Sequence, residues 1–267
     1  MHPGAAYMRN KNYSKRDQVG DEEARGRRSV SGRAGATEIS ESERSYQAQL
    51  SALMASPLMF AIEHGDLETV RALIDSGTVG LSARDEHGNG LLRVAAKQKD
   101  PEVIRFLIEH GASLKEKNKY DSTPLHMACT KGHTEIAKLF IDLGLDVCLE
   151  DKYGSTPLHD ACANRFLKTA ALLLEYGAKV DARDKNGNTP LHSACSCLWT
   201  EVVCFLLEHG ADPNVKDDVG CYPLDAVLSF PLPLPAREEI IDLFRQYAPE
   251  QVMERFCQTE MNKEISP

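Results

Sequence analysis

The sequence predicts an all-α repeat solenoid. Three observations carry that expectation: a fixed period of 33 residues, helix-start signals at one phase of it, and helix-ending glycines at another. Thr123-Pro124-Leu125-His126 returns as Thr156-Pro157-Leu158-His159 and again as Thr189-Pro190-Leu191-His192. A degenerate copy, Tyr222-Pro223-Leu224-Asp225, lies one period further on. Upstream, Gly90-Leu91-Leu92-Arg93 holds the same phase, and Ser56-Pro57-Leu58-Met59 opens the series with a one-residue slip. Leu92, Leu125, Leu158, Leu191 and Leu224 form one row, and Asp85, Asn118, Asp151, Asp184 and Asp217 a second. Gly111, Gly144, Gly177 and Gly210 form a third, with Gly77 one residue early. Rows that share one period of this length mark stacked repeats.

Each element of a unit follows from local chemistry, and the third unit shows it best. Thr123 suits an N-cap, and Pro124 fixes φ in the first helical turn, where a missing N–H costs nothing. The first helix is short, and Gly132 breaks the chain after it. From Glu135 to Leu143 the apolar residues Ile136, Leu139 and Phe140 recur at helical spacing. Gly144 ends this second helix in the left-handed region, and Asp151 and Gly154 supply turn chemistry. Neither helix reaches the roughly 12–15 residues that an isolated helix needs, so stacking on neighbours must supply the burial.

The motif Thr-Pro-Leu-His with this period resembles the ankyrin repeat family from about residue 56 to 247. The resemblance implies an all-α ankyrin-repeat solenoid, with a β-turn finger and an antiparallel helix pair in each 33-residue unit. The expected units run 56–88, 89–121, 122–154, 155–187, 188–220 and 221–247, the outer two degenerate, within a repeat domain spanning 46–258. Departures from the pattern stand out. Arg165 and Leu198 replace the inter-helix Gly132, as does Lys99 in the second unit. Phe166 and Trp199 replace His133, and Asp121 replaces the finger-tip glycine. The last unit carries an insertion within 229–236, read as a surface loop, followed by a terminal helix from Arg237 to Tyr247. Segments from Tyr46 to Met54 and from Glu250 to Gln258 are expected to cap the two ends, and 259–267 to form a flexible C-terminus.

Composition bounds the function. The chain has 267 residues, 42% hydrophobic and 27% charged, with a net charge of −9. No apolar run approaches the roughly 18 residues of a membrane span, and no secretory leader is evident. The eight Cys are read as reduced thiols of an intracellular protein of the cytoplasm or nucleus. Residues 1–49 hold 9 Lys and Arg against 7 Asp and Glu, while the remainder holds 22 against 33. Residues 1–45 are read as a disordered, mildly basic tail, with Ser31 a possible basophilic kinase site. The acidic remainder argues against a dedicated nucleic-acid surface.

Candidate chemistry reduces to structure at most positions. Cys129, Cys162 and Cys195 keep the period and match Ala96, so they read as small core residues. Cys195-Ser196-Cys197 lacks the second ligand pair that zinc requires. No nucleophile with a base and orienting acid emerges, and no phosphate-binding glycine loop. The expectation is therefore no enzyme, no metal and no cofactor. In the family, His126, His159 and His192 tie successive turns together, and partners bind along finger tips and first helices lining a concave groove. The finger rows read Glu86, Lys119, Lys152, Lys185, Asp218 and His87, Tyr120, Tyr153, Asn186, Val219. The first-helix row reads Gln98, Lys131, Asn164, Cys197, Phe230. A Lys ridge beside two Tyr favours an acidic partner segment. The partner-binding candidates are Lys119, Tyr120, Lys131, Lys152, Tyr153, Lys185, Asn186 and Trp199. Trp199 and Phe166 mark either an apolar patch or a corner folded onto the core. Asn214 sits where the family often carries asparaginyl hydroxylation. The expected role is a monomeric adaptor, scaffold or inhibitor. The alternatives are a substrate-recruiting subunit or host-directed effector in protein degradation, and a tail-driven binder of an anionic surface.

Overall fold

Paired short helices, laid down with the period of the sequence, build the protein. A computed structural model describes residues 57–77, 79–99, 101–230 and 234–247. The expected tail with Ser31, both end caps, Cys257 and residues 231–233 lie outside the described residues. Residues 57–63 form a first helical turn pair. The inner helices are α2 (Leu91–Ala95), α4 (Pro124–Lys131), α6 (Pro157–Ala163), α8 (Pro190–Ser196) and α10 (Pro223–Leu228). The outer helices are α1 (Leu67–Asp75), α3 (Glu102–Glu109), α5 (Thr134–Asp142), α7 (Leu167–Glu175), α9 (Thr200–Glu208) and α11 (Pro235–Tyr247). Each inner helix packs on the next inner helix and on its own outer partner. Among the described residues, extended pairing is confined to the isolated antiparallel bridge between Arg84 and Gly90.

The helix starts follow the motif. Thr123, Thr156 and Thr189 stand at the N-caps of α4, α6 and α8 with extended φ and ψ, each followed by Pro at the first position. The motif His closes each box from the third helical position, because its Nδ1 accepts the backbone N–H of the capping Thr. In α10 Asp225 takes that place and accepts the Tyr222 N–H at 2.8 Å. At the end of α5 the N–H of Leu145 reaches the Phe140 carbonyl and that of Gly144 the Ile141 carbonyl. That pair of bonds is the Schellman arrangement, and it satisfies carbonyls the helix leaves open. The final helix begins at Pro235, two residues before the expected Arg237. Proline tolerates the first helical turn, so the chain enters the helix earlier.

Burial follows the rows. Leu92, Leu125, Leu158, Leu191 and Leu224 are all buried, as are Ala96, Cys129, Cys162 and Cys195 one turn on. A fully buried Leu contributes roughly 1.5–3 kcal/mol, and here one is supplied per unit rather than gathered into one deep centre. Burial pushes the Cys162 thiol up to about 12 and also raises those of Cys129 and Cys195. These thiols are core filling, not thiolate nucleophiles.

The inter-helix corners differ from unit to unit. Gly132 takes φ +68° after α4, while Arg165 and Leu198 adopt +63° and +54° at the same phase. A left-handed L-residue costs about 1–2 kcal/mol, which neighbouring contacts must offset. Leu198 packs against the core. The Arg165 guanidinium lies 6.0 Å from the Trp199 ring centroid and 2.8 Å from Glu201 Oε2.

Candidate partner-binding surface

The fingers are built by one side chain each. In the third finger Asn118 Oδ1 accepts the N–H groups of Tyr120 (2.9 Å) and Ser122 (3.0 Å). In the fourth Asp151 Oδ1 accepts those of Tyr153 (2.8 Å) and Ser155 (2.9 Å). Asp184 and Asp217 repeat the pattern. A short acceptor at the start of a turn folds the chain back on itself.

Adjacent fingers are joined backbone to backbone. The N–H of Lys152 reaches the Tyr120 carbonyl at 2.8 Å, that of Lys185 the Tyr153 carbonyl at 2.9 Å, and that of Asp218 the Asn186 carbonyl at 2.9 Å. This close approach explains the tip glycine. A Cβ on Gly154, at φ +76°, would stand 2.7 Å from the Lys185 nitrogen. Asp121 takes the equivalent place at φ +56°, a conformation Asp tolerates better than most residues.

The ladder fixes what the tips present. Lys119, Lys152, Lys185 and Asn186 are exposed, and Lys119 Nζ donates to the Glu86 carbonyl at 2.7 Å. The Tyr120 and Tyr153 rings stack with centroids 6.3 Å apart and planes 23° from parallel. Tyr153 is 39% exposed, and Val219 at the end of the same row is 79% exposed. Six candidates therefore share one crest: Lys119, Tyr120, Lys152, Tyr153, Lys185 and Asn186.

The other two stand apart. Lys131 is the last residue of α4 and Trp199 the N-cap of α9, at the corner end of the helix pair. An eight-residue helix is about 12 Å long, so a helix length separates them from the tips. The corner aromatics turn inward. Trp199 is half-buried against the core. A Cβ on Gly132 would collide with the Phe166 ring. Asn214 lies at a finger base, where its N–H and side-chain amide both donate to Asp212 Oδ1, at 2.8 and 3.1 Å.

The motif histidines are fully engaged. His126 Nε2 donates to the Ser155 carbonyl at 3.1 Å, and its Nδ1 accepts from Thr123 Oγ1 at 2.8 Å. His159 and His192 make the same pair of contacts, to Asn188 and Cys221 of the following fingers. The ring must be neutral to accept at Nδ1, and burial lowers the His126 pKa to about 4. His159 and His192 are lowered by the same cause. Among the described residues, no group of three or more His, Cys, Asp or Glu is arranged to hold a metal ion. Among them also, no helix is long and apolar enough to cross a membrane.

Two charged residues behind the crest escape sequence reasoning. Arg93 occupies the motif His position of its unit. Its Nε donates to Asn89 Oδ1 at 2.7 Å and its Nη1 to the Thr123 carbonyl at 2.8 Å. It thus makes the inter-unit link that His makes elsewhere, and its place in phase with the motif was the available signal. Asp160 follows the motif His on α6. Burial raises its pKa to about 7, Asp151 adds to the rise, and Arg93 and a Thr130 hydrogen bond oppose it.

Comparison with known proteins agrees with this architecture. A family model described as ankyrin repeats (3 copies) matches residues 44–118 and 92–184, and one described as ankyrin repeats (many copies) matches 172–226. The chain is also 38% identical over 72 residues to the probable 26S proteasome regulatory subunit p28 of Saccharomyces cerevisiae. That stretch is 27% of this chain and spans about a third, 32%, of the relative's length. The matched family segments run from residue 44 to 226, well over half of the 267 residues, and the chain belongs to the ankyrin repeat family.

Proposed function

We propose that this protein is a non-catalytic recognition module. It binds a partner protein along its finger tips and the adjoining inner helices, as an adaptor, scaffold or inhibitor inside the cell. The observation that carries this reading is the hydrogen-bonded finger ladder with Tyr120 and Tyr153 stacked on its crest. Rigid aromatic side chains contribute contact area at low entropic cost, and a preformed surface avoids the ordering that weakens association. The Lys ridge beside them suits an acidic segment of the partner.

The test begins with partners captured by the full chain and identified by mass spectrometry. A Tyr120→Ala/Tyr153→Ala double variant, with an unchanged circular dichroism spectrum, is expected to bind the purified partner at least about 30-fold more weakly, the scale of an interface hot spot. Unchanged affinity overturns the reading.

A second reading places the protein in protein degradation, as a substrate-recruiting subunit. The 38% identity to a probable proteasome regulatory subunit over 72 residues favours it. The full chain is then expected to co-sediment with purified 26S proteasome in a glycerol gradient. Sedimentation as a free small protein counts against it.

A further inference from the structure

The first unit leaves open the face by which later units touch the one before them. Gly65 at φ +70° follows the helical segment 57–63 as Gly132 at +68° follows α4, and it sets the phase. Counted from that glycine, Asp66 stands where His133 and Phe166 stand, and Thr69 where Ile136 and Thr169 stand. In the interior these places meet the preceding unit. His133 Nδ1 donates to the Ala96 carbonyl at 3.1 Å, the Phe166 ring lies against Gly132, and the Thr169 and Thr134 hydroxyls are 2.8 Å apart. Ile136 and Thr169 are fully buried there. Asp66 and Thr69 are exposed and meet each other instead, the Thr69 N–H donating to Asp66 Oδ1 at 3.1 Å.

The open face is apolar. Pro57, Phe60, Ala61 and His64 fall at i, i+3, i+4 and i+7, and with Asp66 and Thr69 they line an open groove of about 480 Å³. Phe60 is 64% exposed, while Leu58 and Ile62 on the other face are fully buried. The end of a solenoid needs a cover for such a face. The chain brings one to it. Residues 49–56 run directly into Pro57 at the rim of the groove, and the family match already begins at residue 44. Leu50, Leu53 and Met54 are spaced i, i+3 and i+4, one face of a helical turn. A turn at Ala55 and Ser56 lets residues 49–54, about 9 Å of helix, lie back along the roughly 10 Å from Pro57 to His64. A segment tethered so closely acts at an effective concentration in the mM range, which favours it over a free partner.

We infer that residues 49–56 fold back over the open end of the first unit and seat Leu50, Leu53 and Met54 in this groove against Phe60 and Ala61. The segment takes the place that a preceding unit would occupy. It withdraws the end face from other proteins and from a second copy of the chain. The inference is independent of the finger crest as a binding surface.

NMR on the full chain, with labelled Leu and Met methyls and Phe rings, tests the seating. Nuclear Overhauser contacts from the Leu50, Leu53 and Met54 methyls to the Phe60 ring are expected, unchanged on tenfold dilution. A Leu50→Ser/Leu53→Ser variant is expected to melt about 4–8 °C below the parent, because two leucines lose apolar burial. A pair in free solvent would shift it by no more than about 2 °C. Phe60→Ser should cost a similar amount, and the three substitutions together less than the sum of the two shifts, as residues in contact do. Absent methyl–ring contacts, a Leu-pair variant that melts with the parent, or additive shifts overturn the inference. Contacts that vanish on dilution assign the groove to a second copy and overturn it too. So does a captured partner that Phe60→Ser releases while the Leu pair leaves the melting unchanged.

Discussion

His126→Ala is expected to lower stability by about 3 kcal/mol at pH 7.5, read as a drop in melting temperature of roughly 6–12 °C. The substitution leaves the Ser155 carbonyl and the Thr123 N–H without the partners they have across the ring. Each unsatisfied buried group costs about 1–3 kcal/mol, and the vacated ring volume adds a cavity. The loss should also depend on pH. In the unfolded chain the imidazole titrates near 6.5, and in the folded protein near 4. Between these values the unfolded state holds a proton that the folded state lacks. The histidine's contribution is thus complete above pH 6.5 and is lost as pH falls toward 4. Urea unfolding at pH 7.5 and 4.5 should show the gap between the parent protein and the variant narrowing at the lower pH. A gap of constant size would contradict the assignment. His159 and His192 are lowered for the same reason, so the single variant should retain part of the acid sensitivity.

Asp160→Asn is expected to have the opposite sign and a neighbouring window. Burial, with Asp151 nearby, raises this carboxyl from 3.8 to about 7. Between those values the folded state holds a proton that the unfolded state releases, so Asp160 erodes stability as pH rises through the window. Asparagine approximates the protonated acid in shape and does not titrate. Its stabilising effect should therefore be larger at pH 8 than at pH 5, by something on the order of 2 kcal/mol. Urea midpoints at the two pH values measure that difference, and an effect independent of pH would show that the carboxylate is solvated rather than buried. Because the motif histidines act in the reverse direction over nearly the same range, the Asn variant should also lose stability more steeply on acidification than the parent protein.

These two residues illustrate the division between what periodicity exposes and what it hides. The helix starts at Thr123, Thr156 and Thr189 were legible because capping is local: the acceptor, the proline and the motif His lie within four residues of one another. The finger turns at Asn118, Asp151, Asp184 and Asp217 were legible for the same reason. The buried Leu row and the three cysteines in phase with Ala96 were legible because each unit repeats its neighbour's environment. Lys131 on the first-helix row and Trp199 at an inter-helix corner were placed by phase, and the structure sets both at the corner end of the helix pair, about a helix length from the finger tips.

By itself the sequence determined the family, the phase of its central units, the structural place of the motif histidines and the row of residues at the finger tips. Those features arise from backbone hydrogen bonds and caps that close within one period. The tertiary structure alone decided that Tyr120 and Tyr153 stack, and that Phe166 settles over Gly132. It alone showed that Arg165 and Leu198 hold a left-handed backbone against Trp199 and the core, and that Arg93 stands in for a histidine. It also left Asp160 half-buried beside Asp151, which together raise its pKa. Such outcomes depend on side chains about 30 residues or more apart meeting across a stacked interface, where desolvation and contact are set by the neighbour rather than by the local chain.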